Sequence, residues 1–131
     1  MSEDQSTRAF HPLGPEQTEI ILDSVAAGIL TVDLEGRITS FNRAPVEMTG
    51  VPRSDAMGKP CSDVLRSTLC GEDCPIRQAR STGVSVVNKP AHIVDVHGTR
   101  VPVSLTAADL VEGDRVVGGV ETFRDLRLVE E

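Results

Sequence analysis

Apolar and polar positions along this chain change period several times, and each change predicts an element. From Pro15, the apolar residues Ile20, Ile21, Leu22 and Val25 form a helical stripe that Gly28 ends. Pro15 opens that predicted helix, and Glu16 and Glu19 sit in its early turns. The two adjacent isoleucines widen the stripe beyond one core face, as a dimer surface would. Next, β-branched Ile29–Val32 and then Arg37–Asn42 read as two strands joined by a tight Asp33…Gly36 turn. Asn42 is placed to cap a helix over Arg43–Thr49 that Gly50 closes, with Pro45 tolerated in its first turn. Val51–Pro60, with two prolines and Gly58, predicts a connector holding at most one helical turn.

The second half is β-rich. Val84–Val96 reads as a strand pair, or as one long strand broken near Asn88-Lys89-Pro90. After a His97-Gly98-Thr99 turn, Arg100–Ala108 alternates cleanly, with Val101, Val103, Leu105 and Ala107 on one face. Glu112-Gly113-Asp114 predicts a turn and Arg115–Arg124 a last strand. Short connections imply an antiparallel sheet with one buried face, and the order helix, two strands, helices, three strands gives an α+β fold. Residues 1–14 read as a poorly ordered lead-in, 15–126 as one domain, and 127–131 as the start of a helix or linker.

Composition narrows the function. With 131 residues the chain suits a single domain. It has three Phe and no Trp or Tyr, so the core is aliphatic and base stacking has little to work with. A net charge of −7 argues against a nucleic-acid surface. No apolar run approaches the roughly 20 residues of a membrane span, and Met1–Thr7 lacks a signal-peptide character, so cytoplasmic residence is expected. No nucleophile–base pair or phosphate loop stands out, so an enzyme is not expected.

All the cysteines fall in one stretch, Cys61, Cys70 and Cys74, spaced C-x8-C-x3-C. Cys74-Pro75 predicts a helix over Pro75–Ser81 that stops at Gly83, with Cys74 as N-cap where the helix dipole favours a thiolate. Clustered thiols in a reducing compartment suit metal binding or redox chemistry better than a structural disulfide. An iron–sulfur site, a zinc site, a reversible Cys70–Cys74 disulfide and plain packing all remain open on this spacing. For a fourth metal ligand, Asp63, Glu72, Asp73 or a histidine of the β half are the candidates. Other polar residues take ordinary readings. Asp33 and Glu35 are turn formers, and Arg37, Arg100 and Arg124 are solvated strand residues. Arg77 and Arg80 share a solvated helix face, His92 and His97 lie at the surface, and Glu121 in the last strand is expected to be exposed.

Several stretches in sequence resemble the PAS sensor domains: Gly28-Ile-Leu-Thr-Val-Asp33, Gly36-Arg-Ile-Thr-Ser-Phe-Asn42, Asn42-Arg-Ala-Pro-Val-Glu-Met-Thr-Gly50, Gly98-Thr-Arg-Val-Pro-Val-Ser104 and Gly119-Val-Glu-Thr-Phe-Arg-Asp125. Pro45 departs from the alanine usual in the family. The cysteine segment resembles a narrower subgroup, found before the ATPase domain of bacterial enhancer-binding activators and before some histidine kinases. The resemblance implies a five-stranded antiparallel sheet flanked by helices, an N-terminal helix, and an exit through Asp125-Leu126-Arg127 to a signalling helix. It further implies a homodimer joined through the N-terminal helix and an ATPase or kinase effector downstream. The sensor residues would be Cys61, Cys70 and Cys74, holding an iron–sulfur cluster for redox or oxygen sensing. No Asn-Cys-Arg-Phe motif is present for a flavin, and no histidine lies in the helical half for haem. The rival expectation is a cofactor-free dimerisation and docking module.

Overall fold

The computed structural model of this chain describes residues 14, 16, 17, 20, 21, 27–71 and 74–128. From Gly28 on, the elements run in order β1 (Gly28–Val32), β2 (Ile38–Phe41), α1 (Arg43–Thr49), α2 (Arg53–Ala56), α3 (Cys61–Leu65), α4 (Pro75–Thr82), β3 (Val86–Val94), β4 (Arg100–Glu112), β5 (Arg115–Asp125) and a short 3-10 turn, Leu126–Leu128. The five strands form one sheet in the order β2-β1-β5-β4-β3, antiparallel at every pairing. This is the expected α+β architecture. Of the predicted helix from Pro15 to Gly28, the described residues Glu16, Gln17, Ile20 and Ile21 are helical; the rest of it, and the lead-in before Gly14, lie outside the described residues.

Period-two patterning builds the core. Leu30 and Val32 of β1, Ile93 of β3, Val101, Val103 and Leu105 of β4 and Phe123 of β5 face one side of the sheet and are almost wholly buried. The helices supply Ala44, Met48, Ala56, Val64, Leu65 and Ile76 to the same core. Each large aliphatic or aromatic side chain removed from water in this way contributes about 1.5–3 kcal/mol. Gly28 is required opposite Phe123: a Cβ there would stand 2.6 Å from the ring carbon Cε2. Gly119 does the same for α4, since a Cβ would lie 2.6 Å from Ile76 Cγ2.

The turns follow their residues. Asp33 Oδ1 accepts from the Glu35 and Arg37 N–H groups at 2.9 and 3.0 Å, and Gly36 takes a φ of +81°. Asp95 Oδ1 repeats this arrangement with the N–H groups of His97 and Thr99. Two details differ from the sequence reading, and a third chooses between its alternatives. Asn42 sits at the N-cap of α1, but its side chain makes no capping bond. Instead, its Oδ1 accepts from Ile29 N at 2.8 Å and its Nδ2 donates to Ala27 O at 3.1 Å, tying the start of β1 to the end of β2. Of the two readings of residues 84–96, the structure has the single strand, Val86–Val94, broken in register between Val86 and Lys89 where Asn88 adopts a φ of +52°. Finally, the helical turn α3 begins at Cys61 itself, behind Pro60, where the periodicity of so short a segment gives no signal.

Candidate functional site

The cysteine segment is pinned at both ends and in the middle. Cys61 opens α3 and donates its N–H to Gly36 O of the β1–β2 hairpin at 3.0 Å. Thr68 pairs with the β3 edge, its N–H donating to His92 O at 2.9 Å while His92 N donates to Thr68 Oγ1 at 3.2 Å. Cys70 closes a tight turn on Ser67 O. Cys74 is the N-cap residue of α4, which runs Pro75–Thr82 and ends at Gly83 in the left-handed region, as the Pro and Gly placement predicts. Cys61 and Cys74 are half-buried against the core, and Cys70 is exposed.

This arrangement brings all three thiols to the wall of one cavity of about 450 Å³. Leu65, Leu69 and Ile76 supply apolar lining, Arg77 and Arg80 stand at its exposed side, and Glu121 of β5 faces in from the sheet. Arg80 also reaches Leu34 O, at 3.5 Å. The other candidate ligands stand elsewhere: Asp63, His92 and His97 are exposed and none lines the cavity. Glu72 and Asp73 lie outside the described residues. Among the described residues, no three His, Cys, Asp or Glu groups stand close enough together to hold a metal ion as they are placed.

Glu121 corrects the sequence reading. It is 3% exposed, not a surface residue. On β5 it is in phase with Gly119, Phe123 and Asp125, all buried, and in register it lies between Leu30 of β1 and Ala107 of β4. The alternation through Phe123 is the signal that locates it; charge alone suggested solvent. Burial pushes its carboxyl up to about 7.

The thiols respond to the same surroundings. Burial raises the Cys61 thiol well above its ordinary range, and the negative charges of Glu121, Cys70 and Cys74 raise it further. Burial also raises Cys70; the Ser67 backbone pulls it down, and Cys74 and Glu121 push it up. A thiol held protonated is a poor nucleophile toward peroxides or disulfides. The cavity thus collects three thiols and one buried carboxyl on its wall.

The exit also assembles as a unit. Asp125, 4% exposed, accepts from Arg127 Nε at 3.0 Å and from Arg127 Nη2 at 2.8 Å, and its Oδ1 accepts the Arg127 N–H at 2.9 Å. The Arg127 side chain holds the Asp125 carboxyl below the usual carboxylate range. Arg37, Arg100 and Arg124 are exposed, as expected. No helix of the described residues is long and apolar enough to cross a membrane.

Comparison with known proteins gives this geometry a family context. The family profile described as PAS domain matches residues 26–127. The sensor protein CitS of Halalkalibacterium halodurans is 26% identical over 112 residues, covering 84% of this chain and 19% of that protein. The chain therefore spans about a fifth of that curated relative. Among solved structures, the PAS domain of a protein from Colwellia psychrerythraea superposes with a TM-score of 0.70 at 19% identity, covering 84% of this chain and 94% of the other. The PAS domain of nitrogen regulation protein NR(II) from Vibrio parahaemolyticus gives 0.68 at 15% identity, covering 82% and 96%. At these identities the two structures share the fold.

Proposed function

Because the chain belongs to the PAS domain family, we propose that it is the signal-input domain of a longer regulatory protein, sensing redox state or oxygen through Cys61, Cys70 and Cys74. The observation that supports this is the convergence of the three thiols on one cavity of about 450 Å³. Thiolates are the usual ligands of iron–sulfur clusters and of soft cations, and three of them with a further site leave one position for another donor. Thiols are the donor type such a group takes, but as they are placed no three of the described donors stand close enough together to hold it. When bound, an iron–sulfur cluster would supply one-electron chemistry and sensitivity to oxygen. Cys61, Cys70 and Cys74 would hold such a group, and Leu65, Leu69 and Ile76 of the cavity wall would shield it.

Burial raises the Cys61 and Cys70 thiols, which slows reaction of the free thiols with oxidants. The output passes along β5 to Asp125, Leu126 and Arg127, and from there to an effector of the kinase or ATPase type. The resemblance to sensor protein CitS supports the kinase, and the three-cysteine spacing the wider subgroup. Ile20 and Ile21, 66% and 48% exposed, support a homodimer through the N-terminal helix. In this reading the domain is a regulatory module, not an enzyme.

Anaerobic purification followed by iron, sulfide and zinc analysis and an absorption spectrum tests the proposal. Bound metal that is lost in Cys61→Ser, Cys70→Ser and Cys74→Ser, with the fold retained by circular dichroism, is the expected result. A colourless, metal-free protein in which the three substitutions leave signalling unchanged would overturn it in favour of a cofactor-free docking module.

A further inference from the structure

Glu121 is left without a role by the three-cysteine reading, yet its placement is costly. Burying a carboxylate without a partner is strongly unfavourable, and Glu121 stands on the core face of the central strand, 3% exposed, where its neighbours in register are Leu30 and Ala107. Among the described residues no hydrogen bond or ion pair reaches its side chain, which lines the cavity of about 450 Å³. Sites for small molecules typically enclose about 300–1,000 Å³. Charge in this cavity is segregated. Glu121 faces in from the sheet, and its negative charge and those of Cys70 and Cys74 raise the Cys61 thiol. Arg77 and Arg80 of α4 line the exposed side, and Leu65, Leu69 and Ile76 supply apolar wall. Among the described residues Arg77 makes no hydrogen bond, and Arg80 makes only the long one to Leu34 O at 3.5 Å.

We propose that the cavity binds a small aliphatic zwitterion, its ammonium group on the Glu121 carboxylate and its acid group on Arg77 and Arg80. This does not rest on the cysteines holding a cluster, since no thiol serves as a donor. An ammonium group supplies the counter-charge that Glu121 lacks. Because burial pushes that carboxyl up to about 7, binding of the cation draws it into the ionised form and releases its proton to solvent. A guanidinium pair and an ionised acid are the partners that a carboxylate tail and an ammonium head require. A simple cation would meet the two arginines unpaired, and a simple anion would meet Glu121. Of the other carboxylates at the cavity, Asp33 is committed to the Glu35 and Arg37 N–H groups, and Glu35 is exposed on the hairpin. The aliphatic body of the ligand would pack on Leu65, Leu69 and Ile76. Such a ligand bridges α4 and β5, four residues before Asp125, so occupancy reaches the exit directly.

An NMR amide-shift titration of the reduced, metal-free chain tests this with γ-aminobutyrate, δ-aminovalerate and ε-aminocaproate, against hexylamine and caproate. Saturable shifts at Leu65, Ile76 and Glu121 are expected with at least one of the three amino acids. Hexylamine and caproate, each lacking one charged end, should bind more weakly by roughly tenfold or more, the scale of one charge-assisted hydrogen bond. Glu121→Gln, nearly isosteric and with its fold checked by circular dichroism, should reduce the best amino acid to the level of caproate. The double change Arg77→Gln and Arg80→Gln should reduce it to the level of hexylamine. A check without substitutions is the Glu121 carboxyl carbon, which should move toward its ionised shift when the amino acid is added at slightly acidic pH. No saturable shift with any of the three amino acids would overturn the proposal. So would caproate or hexylamine binding as tightly as the best of them, or a carboxyl carbon that does not move. None of these outcomes bears on the thiols, whose role is read separately from metal analysis of the cysteine variants.

Discussion

Two acids on the same face of β5, Glu121 and Asp125, are both almost wholly buried, yet they live in opposite electrostatic surroundings. Asp125 has Arg127 across its carboxylate in a forked contact, and that partner draws its pKa down. Glu121 has no partner, and burial pushes its carboxyl up to about 7. One turn of the chain beyond the sheet is enough to satisfy the first acid; the second faces a cavity. The contrast separates an acid satisfied by its own chain from one buried without a partner.

The largest effect should come from the residue between them. Phe123→Ala removes a side chain that is 1% exposed and packs over Gly28, so it should destabilise the domain by about 3–5 kcal/mol in urea unfolding. If the loss is well below that, β5 does not hold the two acids in one rigid frame. A smaller effect of opposite sign is expected for Glu121→Gln in the metal-free protein at pH 8. A carboxyl raised to about 7 in the folded state and near 4.5 unfolded binds more protons when folded, so stability falls as pH rises through that window. Glu121→Gln should abolish this decline and stabilise by roughly 2–3 kcal/mol at pH 8, with little gain at pH 4; equal gains at both pH values would rule out the titration.

Asp125 should behave in the reverse sense and more weakly. Its lowered pKa contributes stability above the unfolded carboxylate range and loses it as pH falls through the folded value. Arg127→Ala should therefore cost about 1 kcal/mol at neutral pH, discounted because the Arg127 side chain is 47% exposed. The same change should move the Asp125 carboxyl upward in an NMR pH titration; an unmoved carboxyl would mean that Arg127 is not its partner in solution.

Much of this was legible in the residues. Val101, Val103, Leu105 and Ala107 announce β4, and Pro75 with Gly83 brackets α4, because such local signals are fixed by backbone and pleat geometry. The clustering of Cys61, Cys70 and Cys74 pointed to the segment that lines the cavity. What escaped depended on tertiary neighbours. Asn42 looks like a cap in isolation, but the adjacent start of β1 competes for its amide and wins. Glu121 looks solvent-bound by charge, while its phase with Phe123 puts it inside; hydrophobicity and register disagree there, and register prevails because the strand is paired on both sides. The turn α3 was too short to leave a periodic trace.

The sheet order has a consequence for how the chain acquires its signal-reading ability. The strand that joins β1–β2 to β3–β4 is β5, the middle of the sheet and the last strand in sequence. As the polypeptide emerges during synthesis, the two hairpins can form early, but they meet only when residues 115–125 insert between them. The cysteines are therefore made well before the wall they share with Glu121, and the cavity is a late product of folding. Anything that enters it would meet an essentially finished domain.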